Sequence, residues 1–227
     1  TSISIDKTLT KAADIYVPDV DFTFTVAPAT ADDGETATGT RNGSQVTMEV
    51  YNGVEGGVKT DNTNTGIASF APAASDMDQT SVTEEATFTV DPTVFEHAGV
   101  YKYTVTETAS TYEGITNDTT LTRTLYIYVE NGTDNNYVVV GAVLKNGSTK
   151  TDGFTNAYGQ NKNELNKLTI SKTIAGNAAN MEETFSFTVK IDAQKGATSE
   201  WYKYTTSQGD TGYLTSGKST EFTLGNA

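Results

Sequence analysis

The chain has 227 residues, and 29 acidic side chains against 15 basic ones give a formal net charge of -14 and a pI near 4.3, a balance that excludes a protein tracking nucleic-acid phosphates. With no cysteine and one histidine, disulfides, thiol chemistry, Cys-rich zinc sites and multi-His metal sites are excluded, and no cofactor is implied. No apolar run approaches the roughly 18 residues of a membrane span, and Thr1-Ser2-Ile3 has no signal-peptide character, so the chain reads as soluble, not membrane-inserted, and as the interior of something longer.

Hydrophobic residues at 36% are lean for one large core but sufficient for small two-layer domains. Apolar residues alternate with polar ones, threonine is abundant, and no convincing helical periodicity occurs, so the fold class is all-β. In chain order the predicted strands are Ser2 to Leu9, Phe22 to Val26, Val46 to Tyr51, Ala86 to Val90, Val100 to Glu107, Leu121 to Val129, Tyr137 to Leu144 and Phe154 to Tyr158. Gly, Asn and Asp turns separate them, and this many short strands make one sandwich. The acidic, Gly- and Thr-rich span from Ala27 to Thr83 reads as long surface connections around one or two strands.

Residues 159–166 are polar and read as a linker. The opening pattern then returns: Leu168-Thr169-Ile170-Ser171-Lys172-Thr173-Ile174 repeats Ile3-Ser4-Ile5-Asp6-Lys7-Thr8-Leu9, and Glu183 to Val189 repeats Asp21 to Val26 with a small offset. The simplest account is tandem copies of one β-sandwich module, 1–158 and 167–227, the second reading as truncated.

Residues two apart on a strand share a face. Ile3, Ile5, Lys7 and Leu9 therefore lie together, as do Tyr101, Tyr103, Val105 and Glu107, and Phe154, Asn156 and Tyr158. One module thus aims a lysine, a glutamate and an asparagine into its own core, where unpaired charges cost several kcal/mol by rough general estimates. Desolvation lowers a lysine pKa and raises that of a glutamate, leaving a nucleophilic amine beside a protonated carboxyl group. With Glu107 polarising the carboxamide and shuttling protons, Lys7 and Asn156 form an amide and release ammonia, in a single turnover that depends on folding.

These motifs, Leu/Ile-x-Ile-x-Lys at the start, Gly99-Val100-Tyr101-Lys102-Tyr103-Thr104-Val105-Thr106-Glu107 in the middle and Phe154-Thr155-Asn156 at the end, resemble the isopeptide-forming Ig-like domains, of the CnaB-like FctA type, of Gram-positive sortase-assembled pili. The resemblance implies a structural backbone pilin, not an enzyme, extracellular and attached to the cell wall. It implies that Lys7 and Asn156 are the bonded pair, that Glu107 promotes the bond, and that the first and last strands are neighbours. It also implies partners: neighbouring subunits in a covalent polymer, joined by a pilus-specific sortase to an exposed lysine, Lys150 by placement with Lys162 as the alternative. Lys172 occupies the corresponding site of the second module, but no matching Glu and Asn follow and Asn226 comes too early, so Lys172 is expected to be unbonded.

Other readings fit parts of the chain. The loops between Ala27 and Thr83 suit an adhesin or stalk domain binding a host surface ligand. The pairs Asp32-Asp33 and Glu84-Glu85 would suit a hydrolase but read more simply as solvated charge. Asp61 to Gly66 lacks the terminal Glu of an EF-hand loop and reads as a turn. His97 falls in a turn, and the Asn-x-Ser/Thr triplets at Asn42, Asn117, Asn131 and Asn146 are expected by chance in so Thr-rich a chain.

Overall fold

The computed structural model describes residues 1–227 except 14, 42–43, 63–64, 135, 160–167, 178–179, 193–200 and 226–227. The first 158 residues form a two-sheet sandwich. Its strands are β1 (Ser2–Lys11), β2 (Val20–Pro28), β3 (Thr36–Arg41), β4 (Ser44–Asn52), β5 (Val58–Lys59), β6 (Ile67–Phe70), β7 (Ser81–Val90), β8 (Gly99–Glu107), β9 (Ile115–Thr116), β10 (Thr122–Asn131), β11 (Tyr137–Asn146), β12 (Thr149–Thr151) and β13 (Gly153–Tyr158). One sheet has the order β5-β7-β1-β13-β9, and the other β12-β11-β10-β8-β2-β6 with β4 also joined to β8 and β3 to β4. All eight strands expected from the alternation are present.

The first and last strands of the module lie side by side and parallel, β1 against β13, with β7 antiparallel on the other edge of β1. This places β1 centrally in its sheet, and its inward residues Ile5, Lys7 and Leu9 are all buried. The facing sheet contributes Phe22 and Phe24 from β2, Tyr101, Tyr103 and Val105 from β8, and Leu125, Ile127 and Val129 from β10 to the same core. Between the layers, Phe24 packs against Phe154 of β13 and Phe88 of β7, with ring centroids 5.2 and 6.5 Å apart.

The span from Ala27 to Thr83 is more structured than its composition suggests, holding β3, β4, β5 and β6 in place of one or two strands. The β3-β4 hairpin joins the parallel edge of β8 through Val50, opposite Val100. There it contributes Ala37 and Val50 to a second small core with Val100, Tyr126 and Tyr128, on the side of the sheet away from the main core. The Thr-rich β3 looks polar because only that outward core recruits it. β6 is too short to show periodicity, yet Ala68 and Phe70 are both buried.

The expected linker lies almost wholly outside the described residues. Beyond it, β14 (Phe185–Lys190) pairs with β17 (Ser219–Leu224), and β15 (Trp201–Thr205) with β16 (Thr211–Thr215). Tyr202 of β15 meets Tyr16 of the first module edge to face, with centroids 5.7 Å apart. Leu168 to Ile174, which repeats the sequence of β1, is not in a strand. The cause is the lack of a ladder: β1 is held by β7 and β13, whereas no described strand pairs with this segment, and Leu168 is 81% exposed.

Candidate functional site

Lys7 from β1 and Asn156 from β13 project from one sheet, and Glu107 from the end of β8 projects from the other, so the three meet between the layers. Their relative exposures are 0%, 1% and 1%, respectively. Lys7 Nζ donates to both Glu107 carboxylate oxygens, at 2.7 Å to Oε1 and 2.8 Å to Oε2, and Asn156 Nδ2 donates to Oε1 at 2.8 Å. One carboxylate thus bridges the amine and the carboxamide nitrogen. The Phe22 ring lies 4.5 Å below the ammonium. Burial drives the Lys7 pKa below the ordinary lysine value, against the raising pull of the hydrogen bond and charge of Glu107.

The carboxamide oxygen faces away from Glu107. It accepts the backbone N–H of Asp118 at 2.8 Å. With a carboxylate on the nitrogen and an N–H donor on the oxygen, only one orientation of the Asn156 amide satisfies both contacts. Glu107 thus touches both nitrogens, and the hydrogen bond on the carboxamide oxygen comes from the Asp118 backbone N–H.

Asp118 and Arg123 were not singled out by the sequence reading. Arg123 is buried and its guanidinium lies 4.4 Å over the Phe154 ring. It donates to Asp118 Oδ2 at 2.7 Å, to Thr120 O at 2.6 Å and to Gly153 O at 3.3 Å. Asp118 also accepts the backbone N–H groups of Thr155, at 2.9 Å, and Thr120, at 3.0 Å. Burial would raise the Asp118 pKa, but these N–H donors and Arg123 together hold it below the usual carboxylate range. A signal for Arg123 was present: it lies two residues before Leu125 and shares the inward face of Leu125, Ile127 and Val129. Asp118 left none, because it sits in a loop without periodicity.

Lys150 lies on β12, an outer strand of the second sheet, exposed and opposite Lys145 in the ladder. Lys162 and Asn226 lie outside the described residues. Lys172 is half-buried, with its Nζ 4.7 Å from the Phe185 ring centroid. Asp32 is exposed and ion-paired to Lys102 at 3.3 Å, and Glu84 and Glu85 are exposed on β7. The Asp61 carboxylate accepts the Thr65 N–H at 2.9 Å, which closes the turn read there. His97 lies in the bend before β8.

A two-layer Ig-like sandwich with an amine, a carboxylate and a carboxamide from three strands in its dry interior defines the class of protein. Residues 3–159 match the family described as the Spy0128-like isopeptide containing domain, FctA, and the chain belongs to that family. Residues 166–227 match a domain of unknown function, DUF7601. The fold is that of major pilins of Streptococcus pyogenes. One such structure is 21% identical, covered over 99% of this chain and 74% of its own, with a TM-score of 0.61. The major pilin T3.2 is 22% identical, with the same coverages and a TM-score of 0.60. The major pilin T-13 is 24% identical over 99% of this chain and 75% of its own, with a TM-score of 0.57. No curated protein matches the chain.

Proposed function

We propose that this chain is a shaft subunit of a Gram-positive surface pilus whose first domain staples itself with an amide between Lys7 and Asn156. The observation that carries the reading is the buried Glu107 carboxylate, which holds the Lys7 amine and the Asn156 carboxamide on one oxygen. Lys7 Nζ attacks Asn156 Cγ, forming the new C–N bond. The Cγ–Nδ2 bond then breaks, the amine proton passes through Glu107 to Nδ2, and ammonia leaves. Counted from a Lys7 ammonium and a Glu107 carboxylate, one proton leaves with ammonia and the other stays on Glu107, so the buried ion pair gives way to a neutral amide and a carboxylic acid, and the domain is held closed without any redox dependence. The reaction is stoichiometric, so the protein acts as a structural element and not as an enzyme.

The family membership and the major-pilin fold support polymerisation with other copies outside the cell. An exposed lysine on an outer strand, Lys150, suits a sortase that joins the C-terminal threonine of one subunit to the next. In the second segment β14 repeats the sequence pattern of β2, which supports reading it as a module of the same kind. In this chain its Lys172 rests on Phe185 without a glutamate or asparagine partner among the described residues.

Intact mass under denaturing, reducing conditions tests the bond. The unsubstituted chain should be lighter than its sequence by one ammonia, not two. Lys7→Ala, Glu107→Ala and Asn156→Ala should each restore the full mass, and Lys172→Ala should keep the one-ammonia deficit. A full sequence mass for the unsubstituted chain rejects the reading.

A further inference from the structure

Amide exchange needs more than a nucleophile and a proton carrier: the carboxamide oxygen becomes an oxyanion as the amine adds, and that charge must be met inside a dry core. In the unreacted arrangement the Glu107 contacts are with the two nitrogens, and the contact on the carboxamide oxygen comes from elsewhere. The structure assigns this task to the backbone N–H of Asp118, with the Asp118 side chain as the positioning group that aims it. The inference rests on the bond-forming reading above and adds the group that stabilises its intermediate.

The N–H lies 2.8 Å from Asn156 Oδ1, within the range at which oxyanion-hole donors act. Its direction is fixed from both sides. Upstream, the Asn117 side chain pins the loop to Ser110, accepting its N–H at 2.8 Å and donating to its carbonyl at 3.0 Å. Downstream, the Asp118 carboxylate accepts from Thr120 N–H in its own loop and from Thr155 N–H in β13, the residue beside the reacting asparagine. The donor loop and the acceptor strand are therefore tied to one side chain. A carboxylate so near a developing oxyanion would oppose it electrostatically, and the buried Arg123 guanidinium, 2.7 Å from Asp118 Oδ2, compensates that charge. The donor is built before the reaction starts, so no reorganisation is spent on it.

The atoms balance without any further reactant. Lys7 Nζ bonds to Asn156 Cγ, the π pair moves to Oδ1 and is held by Asp118 N–H, and on collapse the pair returns and the Cγ–Nδ2 bond breaks. Glu107 transfers the proton that lets ammonia depart.

The test is the rate of ammonia loss in full-length chain made by cell-free synthesis, pulsed, quenched in denaturant at intervals and weighed intact. The decisive variant replaces Asp118 by its α-hydroxy-acid analogue, which turns the Asn117–Asp118 peptide bond into an ester and removes only the N–H. Among molecules that resist proteolysis, and so are folded, bonding should slow by about a hundredfold or more. Asp118→Ala should also slow it, and Asp118→Asn, which keeps one acceptor oxygen, should fall between. An ester chain that bonds within about threefold of the normal rate overturns the inference while leaving the bond itself standing, and that result together with a slow Asp118→Ala would assign the carboxylate a purely structural role. An unsubstituted chain of full sequence mass overturns both readings.

Discussion

Lys7 and Asn156 stand on adjacent parallel strands two residues out of register: Lys7 lies opposite Phe154, and Asn156 opposite Leu9. Both strands run in the same direction, so tension applied at the N-terminus and beyond Tyr158 loads this pair in shear. The proposed amide between the two side chains would carry that load past every strand in between. Stretching the unsubstituted chain should release almost no length from the first domain. Asn156→Ala should add an extension of about 500 Å, the contour of roughly 150 residues. Single-molecule force extension reads the difference directly, and an equal step in both proteins would refute the load path.

The proposed loop closure would also stabilise the domain. Tying positions so far apart restricts the unfolded chain by about 5 kcal/mol on the entropic account. Asn156→Ala should lower the unfolding free energy by about that amount, since Lys7 and Glu107 remain paired. Glu107→Ala should fall further, because it also strands a fully buried ammonium over Phe22. Urea denaturation should rank the unsubstituted chain above Asn156→Ala, and Asn156→Ala above Glu107→Ala. The reverse order of the two variants would mean that the Lys7–Glu107 pair is not the element protecting the unbonded core.

What the sequence revealed and what it hid follow from how each residue is held. Lys7, Glu107 and Asn156 were legible because each breaks a period-two apolar face on a long strand, and the period survives in the observed burial of β1, β8 and β13. Arg123 broke a face in the same way but in a strand without a motif. β3 and β6 were hidden for different reasons. β3 serves a second core on the outer face, where its threonines look like surface, and β6 is four residues long. Asp118 was invisible because its role depends on a backbone N–H and on three partners brought together only by the fold.

Burial gives Lys7 a pH signature. Its pKa in the fold is lowered below the ordinary lysine value, so between the two values the unfolded chain binds more protons than the folded one. Stability therefore rises with pH through that window and levels off above the ordinary lysine value. A chain joined through the proposed amide would have no such titration, so the signature belongs to Asn156→Ala. Comparing it with Lys7→Met/Asn156→Ala isolates the amine, and the stability of Asn156→Ala relative to that double variant should increase with pH through the window. In the unsubstituted chain the rate of ammonia loss should climb with pH and reach its plateau before the ordinary lysine value, as the neutral amine becomes the dominant form. A gap that does not change with pH would show that Lys7 titrates alike in both states.

Gly153 joins the reacting strand to the rest of the sandwich. It pairs with Asp6 at the start of the β1-β13 ladder, and a Cβ placed on it would lie 1.7 Å from the Asp6 carbonyl oxygen and 2.5 Å from its carbon. Both are backbone atoms of a central strand, so the collision cannot be relieved by rotating a side chain. Its carbonyl also accepts Arg123 Nε, and Arg123 in turn holds Asp118. Gly153→Ala should therefore push the start of β13 away from β1 and loosen the Arg123–Asp118 network, displacing Asn156 three residues further on. The expected result is a chain destabilised by a few kcal/mol in which ammonia loss is incomplete, although Lys7, Glu107 and Asn156 are all intact. Gly147→Ala, placed in the β11-β12 turn where a Cβ meets nothing within 4 Å but φ is 58°, should cost about 1 kcal/mol of backbone strain and leave the mass deficit complete. Equal bonding in the two variants would show that strand register at Gly153 does not govern the reaction.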